Sequence, residues 1–432
     1  MLENVLLPIG DRLLGRSLMQ RLRMLRKERG DRQAQLVKLD KMLKHATQHS
    51  SYYRSMGVKA GSDPEESLRR FPILTKQLLR SNREGLLTMP EGKLLRQCSS
   101  GTTGFQSIVY WTPDEQSLYR ATQLLWWEWA GYRIGDPILQ TGITPNRKLV
   151  KGIKDRLFNT YYLQAFSHSP GEVRKALEWA AARDNPVLAG YASSLYVLAR
   201  FALDMGMDVR FKTAVSWGDK LFPHYRSLIE KAFGTKVHET YGSAEGLMMG
   251  AQKDLGLMYS MDCNVYMEIV DDHGMPVGEG EMGHVIVTNL NAWGMPLIRY
   301  RIGDLARMLP FDRYPENREL DFPIIEKVIG RDTDLIRTPQ GRMLVVHSFT
   351  GIFEHIPEIS QFRIIQDSLE GITIEYVPGE GFSVDLLRKV EQSIRENVQE
   401  PFILDFRELR EIPPSPSGKP KLIVSNLPAK EF

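Results

Sequence analysis

The sequence of 432 residues is poor in cysteine and contains no long hydrophobic run. Two cysteines are too few for a disulfide framework or, by themselves, for a zinc site, and they favour a reduced, cytoplasmic protein. No segment approaches the roughly 18 consecutive apolar residues of a transmembrane helix, so we expect none. A basic region before the short apolar run at the N-terminus is also missing, and we therefore expect no secretory signal. The composition is otherwise that of a globular protein, long enough for two or three domains.

A strong overall charge is also missing, because 56 basic and 53 acidic residues leave a net charge of +3. The distribution is uneven, with 13 Lys/Arg against 5 Asp/Glu in residues 1–60. Most of these cations lie between leucines at helical spacing. Such a helix can rest on a membrane surface, but more commonly it is a packed helix with a solvated face. No aromatic residues are interleaved with the cations, so we expect no nucleic-acid binding.

The hydrophobic pattern changes near residue 330. Residues 11–50 are predicted to be helical. From about 94 to 330, short apolar runs alternate with helical stretches such as 114–129 and 193–205, which indicates an α/β domain. Within it, the runs 265–270 and 284–288 predict a β-hairpin region. After 330, further strand-like runs and an amphipathic helix at 384–398 predict a smaller α+β unit. We therefore predict domains at 1–330 and 331–432.

The segment Ser99-Ser100-Gly101-Thr102-Thr103-Gly104 combines four hydroxyl groups with two glycines. Glycines let backbone N–H groups turn towards an anion, and the hydroxyls add donors, so the segment can form a triphosphate cradle. It is not a Walker A loop, because no Gly-Lys-Ser/Thr follows and the next run is strand-like. A plain turn is the alternative.

Three other segments carry side chains suited to ATP. In Tyr241-Gly242-Ser243-Ala244-Glu245, the aromatic ring can stack on a purine and the carboxylate can hold Mg²⁺. Asp304 follows a glycine at a predicted strand end, where it can accept both ribose hydroxyls. Lys419 lies in a Pro/Ser/Gly loop, from which domain closure can deliver it to a developing phosphate charge. Taken singly, each has an ordinary alternative: a turn, a capping Asp or a solvated lysine.

Together with Gly330-Arg331-Asp332-Thr333-Asp334, these segments occur in an order that resembles the adenylate-forming superfamily of acyl-CoA synthetases, nonribosomal-peptide adenylation domains and luciferases. The stretches 72–76 and 190–194 resemble the phenylacetate–CoA ligase branch and its capsular-polysaccharide-type relatives. The resemblance covers essentially the whole chain. It implies an α/β fold, with a large multi-layer N-terminal adenylating domain and a small, mobile α+β C-terminal lid domain.

The resemblance also implies an ATP- and Mg²⁺-dependent ligase. A carboxylate attacks the α-phosphate of ATP to give an acyl-adenylate and pyrophosphate, and a thiol, most simply that of CoA, then displaces AMP. Two alternatives stay open: the same adenylation with an amine acceptor, and a non-catalytic nucleotide-binding scaffold. A homodimer is common by family analogy. The acid itself is not specified by the sequence.

Roles for individual residues follow from the same resemblance. For ATP, Ser99 to Gly104 hold the β- and γ-phosphates, Asp304 and Arg331 lie at the ribose, and Lys419 bridges acyl and phosphate oxygens. Glu245 ligates Mg²⁺. Tyr241 stacks on the adenine, and the backbone of the segment that contains Gly218 and Asp219 passes beside it. Gly242 and Ser243 also belong to the nucleotide-binding residues. The acid is contacted by Tyr191, Ser193, Ser216, Trp217 and Thr240. The acyl pocket that these residues and their neighbours imply is mostly aromatic and apolar, which favours an aromatic or hydrophobic acid.

The sequence departs from the family pattern at several positions. Phe105 follows the phosphate loop where a lysine is usual, and Asp219 stands where glutamate is common. Thr333 replaces the usual hinge aspartate. Some relatives carry zinc ligands after the Tyr-Gly motif, but the corresponding residues here include Gln252 and Tyr259, which are poor ligands, so we expect no structural zinc.

Overall fold

The computed structural model describes residue 3 and the ranges 7–13, 15–58, 61–98, 108–142, 158–165, 169–254, 256–271, 273–329, 335–340, 343–345, 349, 352–353, 356, 358–398, 401–412 and 422–427. The chain divides into two compact units. Unit 1 comprises Met1–Ser99, Ser107–Gly135 and His238–Gly330, and unit 2 comprises Ser100–Gln106, Asp136–Val237 and Arg331–Phe432. A division of the chain by compactness does not test which parts move as rigid bodies. The predicted domains 1–330 and 331–432 therefore stay predictions.

In the described residues the helices are, in chain order, α1 (Leu7–Leu13), α2 (Leu18–Leu25), α3 (Arg32–His49), α4 (Ser51–Ser55), α5 (Pro64–Arg69), α6 (Lys76–Ser81), α7 (Arg83–Leu86), α8 (Pro113–Trp129), α9 (Pro170–Ala181), α10 (Ala192–Asp204), α11 (Pro223–Phe233) and α12 (Asp385–Val398). The strands are β1 (Leu95–Cys98), β2 (Ile108–Trp111), β3 (Ile138–Gly142), β4 (Thr160–Gln164), β5 (Val187–Tyr191), β6 (Thr213–Trp217), β7 (Val237–Gly242), β8 (Met248–Gln252), β9 (Met258–Ser260), β10 (Val265–Val270), β11 (Gly283–Asn289), β12 (Tyr300–Met308), β13 (Ile324–Ile329), β14 (Leu335–Arg337), β15 (Met343–Val345), β16 (Ile359–Ser368), β17 (Gly371–Pro378), β18 (Ile403–Glu408) and β19 (Ile423–Ser425). None of the helices in the described ranges is both long and apolar enough to cross a membrane.

Several helices begin where a side chain accepts from their first backbone N–H groups. At α8 the Thr112 hydroxyl accepts from the Glu115 N–H at 3.2 Å, while the Glu115 carboxylate accepts from the Thr112 N–H at 2.8 Å. This is a capping box, with Pro113 at the first helical position. Glu115 also accepts from the Gly294 N–H at 2.8 Å, so the box ties α8 to the loop before β12.

An antiparallel sheet forms the centre of unit 1. Its strands lie in the order β10-β11-β12-β13-β9-β8-β7. The pairing of β10 with β11 confirms the predicted hairpin region. One core joins this sheet to α3 and the short helices after it, through Leu43, Tyr53, Val287 and Tyr300 among others. A second core joins it to α2 and α8. Apolar burial on this scale is the dominant stabilising term for such a unit.

Unit 2 contains a parallel sheet with the order β6-β5-β3-β4. Helices α9, α10 and α11 pack on it through a core that includes Leu188, Leu198, Ile229 and Phe233. Parallel strands joined by helices are the βαβ arrangement that the alternating pattern predicted. The α/β fold class is therefore confirmed.

The last hundred residues of unit 2 form a separate sheet with the order β18-β17-β16-β19. The pair β16–β17 is antiparallel, and the outer pairs are parallel. The apolar face of α12 contributes Val390 and Ile394 to a core with Ile364 and Ile374. The α+β character predicted for the residues after 330 is thus present in the described part of this segment.

Candidate active site

Glu245 lies in a tight turn directly after β7. The turn closes through the Ser243 N–H, which donates to the Leu247 carbonyl at 2.8 Å, and the Gly246 N–H, which donates to the Ser243 carbonyl at 3.1 Å. Gly246 has φ +88°, and a Cβ built on it would lie 2.8 Å from the Trp111 ring. Both the backbone angle and the indole therefore require glycine at this position, and the turn holds Glu245 in a defined place.

Asp304 lies inside a bulge of β12. In the pairing with β11, Arg301 lies opposite Ile286 and Leu305 opposite His284, so the residues 302–304 face Val285 alone. Gly303, at φ +99°, provides the irregular backbone. The expectation that Asp304 lies at a strand end is therefore wrong. The strand continues beyond it to Met308, because β13 pairs with that part of β12 and extends the ladder.

Two tyrosine–carboxylate hydrogen bonds join these two segments. The Tyr241 hydroxyl donates to Asp304 Oδ2 at 3.0 Å. The Tyr300 hydroxyl donates to Glu245 Oε1 at 3.1 Å. Each segment thus contributes one tyrosine and one carboxylate, and each carboxylate is oriented by the tyrosine of the other segment. We call this pair of hydrogen bonds, which is not covalent, the tyrosine–carboxylate cross-link.

Glu245 is a buried carboxylate with an uncharged partner. Glu245 is 6% exposed. In the ranges that the structure describes, no Lys or Arg forms an ion pair with its carboxylate. Beside it lies a cavity of about 30 Å³ with a mostly apolar lining, which also includes the polar side chains of Glu115, Thr122, Asn264 and Asn291. Burial raises the pKa of the Glu115 carboxyl to about 7, although backbone N–H groups donate to it. A cavity of this volume has room for about two water molecules, for which these four side chains are polar partners.

The donor set at Glu245 fits Mg²⁺ bound together with a nucleotide. Mg²⁺ is commonly held by one or two carboxylates plus substrate phosphates and water, and buried charges are normally paired or coordinate a metal. Across the described parts of the chain, no group of three or more His, Cys, Asp or Glu residues could hold a metal alone.

In unit 2, two aromatic residues lie at the carboxyl ends of neighbouring parallel strands. Tyr191 ends β5 and Trp217 ends β6, the two residues are paired in register, and their ring centroids are 6.3 Å apart. Gly218 has φ +81°, and the Tyr191 ring occupies the space where a Cβ of residue 218 would lie. Ligands of α/β sheets bind at the carboxyl ends of strands. Ser216 lies just before Trp217 on β6 and is fully buried.

Asp219 caps α10. Its carboxylate accepts from the N–H groups of Ala192 and Ser193, at 2.6 and 3.1 Å, and from the Ser193 hydroxyl. Burial raises the pKa of the Asp219 carboxyl to about 6, against the opposing effect of these hydrogen bonds. The carboxylate thus fixes the start of α10 beside Tyr191.

The structure brings the predicted site residues together in two groups. Unit 1 holds Thr240, Tyr241, Gly242, Ser243, Glu245 and Asp304, and unit 2 holds Tyr191, Ser193, Ser216, Trp217, Gly218 and Asp219. Eight predicted residues lie outside the described residues: Ser99, Ser100, Gly101, Thr102, Thr103, Gly104, Arg331 and Lys419.

The sequence interpretation missed Tyr300 and Trp111. Tyr300 precedes Asp304 by the same four residues that separate Tyr241 from Glu245, and this repeated spacing was the available signal.

No protein-family model matches the sequence. The chain is 23% identical over 376 residues to Protein CapK of Staphylococcus aureus, with 84% of this chain and 81% of that protein covered. It is 26% identical to the phenylacetate-coenzyme A ligases of Pseudomonas putida, with 71% of each chain covered, and of Escherichia coli, with 70% of this chain and 71% of that protein covered.

Solved structures of 2-hydroxyisobutyryl-CoA ligase share the fold. The structure with 2-HIB-AMP in the postadenylation state has a TM-score of 0.57 at 17% identity, and covers 93% of this chain and 91% of that one. The structure with 2-HIB-AMP and CoA in the thioesterification state has a TM-score of 0.58 at 18% identity, and covers 91% and 90%. The resemblance found in the sequence is therefore confirmed: the homologues of this chain are phenylacetate-coenzyme A ligases and CapK, and its fold is that of acyl-CoA ligases of the adenylate-forming superfamily.

Proposed function

We propose that this protein is an ATP- and Mg²⁺-dependent adenylate-forming ligase that activates an aromatic or hydrophobic carboxylic acid and transfers it to the thiol of CoA. The tyrosine–carboxylate cross-link carries the proposal, because it presents an aromatic ring and two fixed carboxylates in one place. Relatives named phenylacetate-coenzyme A ligase, and a similar fold solved with an acyl-AMP and CoA, support it.

In this proposal unit 1 binds the nucleotide through β7 and β12. The Tyr241 ring stacks on the adenine, with Gly242 and Ser243 beside it, and Asp304 accepts hydrogen bonds from the ribose hydroxyls. Arg331 lies at the ribose, and residues 99–104 donate to the β- and γ-phosphates. Gly218 and Asp219 belong to a segment whose backbone passes beside the adenine in similar proteins, and the capping bonds of Asp219 keep the start of that segment in place.

Glu245 holds Mg²⁺, which supplies the positive charge that allows a carboxylate to approach a polyanion. Lys419 adds a second positive charge at the acyl and phosphate oxygens. A carboxylate oxygen of the acid then attacks the α-phosphorus, and pyrophosphate leaves. In the second half-reaction the CoA sulfur attacks the acyl carbon, the thiol gives up its proton, and AMP leaves.

The acid is assigned to two sets of residues. In unit 2 these are Tyr191, Ser193, Ser216 and Trp217, and in unit 1 Thr240. The rings of Tyr191 and Trp217, which meet edge to face, offer an aromatic wall, which favours an aromatic or hydrophobic acid over a highly charged one. The family analogy also implies a homodimer. The low cysteine content, with Cys263 buried as a free thiol, suits a location in the cytoplasm.

The test is pyrophosphate release from ATP and Mg²⁺ over a panel of aryl, arylacetic, amino and fatty acids. The panel is run without an acceptor, with CoA and with hydroxylamine as a surrogate amine. Acid-dependent release that CoA selectively increases supports the thiol ligase, whereas an increase by hydroxylamine alone supports an amide-forming ligase. Release that does not depend on any acid contradicts adenylation.

Lys419→Ala separates catalysis from nucleotide binding. We expect this variant to lose acid-dependent pyrophosphate release by a factor of about 100 or more, because it lacks the charge at the reacting phosphate. Its affinity for ATP should change much less. If release is unchanged while the wild-type enzyme is active, the assignment of Lys419 is wrong. If neither protein releases pyrophosphate but both bind ATP, the scaffold alternative is favoured.

A further inference from the structure

Tyr300 is a fully buried residue of the site whose hydroxyl has an unusual partner. Its side chain belongs to the core of unit 1 and is 0% exposed. A buried tyrosine hydroxyl needs a hydrogen-bond partner, and a backbone carbonyl suffices: the Tyr53 hydroxyl donates to the Pro296 carbonyl at 3.1 Å. Tyr300 instead donates to Glu245 Oε1, at the same distance.

We propose that Tyr300 is a positioning residue that orients Glu245 towards Mg²⁺, an inference that rests on the proposed function. The terminal torsion of a glutamate is broad, so a lone carboxylate can rotate away from a cation. A hydrogen bond at Oε1 fixes the carboxylate plane and thereby sets the direction of Oε2. Partners of this kind behind a metal ligand commonly control its orientation and basicity.

The backbone at Tyr300 is held from both sides. Tyr300 pairs with Val287 of β11. On the other side Leu74 bonds the residues that flank Tyr300, because its N–H donates to the Arg299 carbonyl and its carbonyl accepts from the Arg301 N–H, both at 3.0 Å. The Tyr300 ring is therefore a fixed support for the hydroxyl.

The Glu245 end of the bond is equally constrained. The turn 243–246 is closed by its own hydrogen bonds, and the Trp111 ring lies against Gly246. A bond between two rigid supports can hold a side chain in one orientation, whereas a bond to a mobile segment would move with it. The position of Oε1 is thus set before any nucleotide binds, which is preorganisation of the metal ligand.

The test compares Tyr300→Phe with Tyr266→Phe. Tyr266 is a matched control, because it is 8% exposed and its hydroxyl also donates to a carboxylate, that of Glu65, which has no assigned role. Mn²⁺ binding to the complex with a non-hydrolysable ATP analogue is titrated by electron paramagnetic resonance. We expect Tyr300→Phe to weaken Mn²⁺ binding about 10–100-fold, and Tyr266→Phe to leave it unchanged. Binding of the analogue without metal should be equal in all three proteins.

Two isosteric replacements exclude an unfilled cavity as the cause. 4-Aminophenylalanine at position 300 keeps a donor, whereas 4-methylphenylalanine fills the same space without one. Under the proposal the amino variant regains most of the Mn²⁺ affinity and the methyl variant does not. Equal affinities of these two variants, or wild-type affinity in Tyr300→Phe, overturn the proposal.

A failure of the proposed function gives a different result. If the wild-type complex with the analogue binds no Mn²⁺, the assignment of Mg²⁺ to Glu245 fails, and the role of Tyr300 fails with it. If the wild type binds Mn²⁺ and Glu245→Gln abolishes this while Tyr300→Phe does not, only the positioning role fails.

Discussion

Asp304→Ala should weaken ATP binding by about two to four orders of magnitude. A carboxylate offers about four acceptor positions, and the Tyr241 hydroxyl takes one of them on Oδ2. The others can accept both ribose hydroxyls. Hydrogen bonds to a charged group contribute about 1.5–3 kcal/mol each, so two of them contribute about 3–6 kcal/mol. At about 1.4 kcal/mol per factor of ten, this corresponds to about 10²–10⁴ in the dissociation constant.

The assay is isothermal titration of ATP and Mg²⁺ into each variant in the absence of the acid. Asp312→Ala is the matched control, because Asp312 lies on an exposed turn a few residues after β12. Its ATP affinity should equal that of the wild type. Tyr241→Phe keeps the ring and removes one donor to Asp304, so we expect a loss of about tenfold. An ATP affinity within threefold of wild type in Asp304→Ala would refute the ribose assignment.

Two substitutions test the supports of the site. Arg299→Ala removes a buried ion pair with Glu268 at 3.1 Å. The loss should lower the free energy of unfolding by about 3–5 kcal/mol and the melting temperature by about 6–20 °C. The control variant Arg388→Ala removes an exposed ion pair and should lower the melting temperature little. Because burial raises the pKa of Asp219 to about 6 from 3.8, the folded protein binds a proton that the unfolded chain has lost between these values. Stability should therefore fall as pH rises through this window, and chemical denaturation of Asp219→Asn should show a flatter pH dependence. Unchanged pH dependence in that variant, or equal melting shifts for the two arginine variants, contradicts these assignments.

Helices with clear end signals were predictable from the sequence. The predicted helix 114–129 is observed as Pro113–Trp129, because a Thr-Pro-Asp-Glu start forms a capping box and the apolar spacing continues to the end. The helix 193–205 is observed as Ala192–Asp204, although its capping carboxylate, Asp219, comes from a different part of the chain. The periodicity alone placed this second helix, and its cap is a tertiary contact that no local pattern indicates.

Several strands next to the site were not predicted. β8 contains Met, Gly, Ala and Gln, which have no strong strand preference, and β9 has only three residues. Both form because neighbouring strands complete their hydrogen bonds. The bulge in β12 also depends on pairing with the neighbouring strands. The sequence shows a glycine before Asp304, which is compatible with either a strand end or a bulge, and only the pairing with β11 and β13 decides between them.

The motifs containing Tyr241, Glu245 and Asp304 could be found from residue type, but their connection could not. Tyr241 bonds the fourth residue after Tyr300, and Tyr300 bonds the fourth residue after Tyr241. Asp304 lies in the bulge of residues 302–304, and a bulge changes the direction in which a side chain leaves its strand. A shift of either segment would disturb both carboxylates at once. The proposed ribose-binding and cation-binding carboxylates therefore depend on two hydrogen bonds that join segments far apart in sequence.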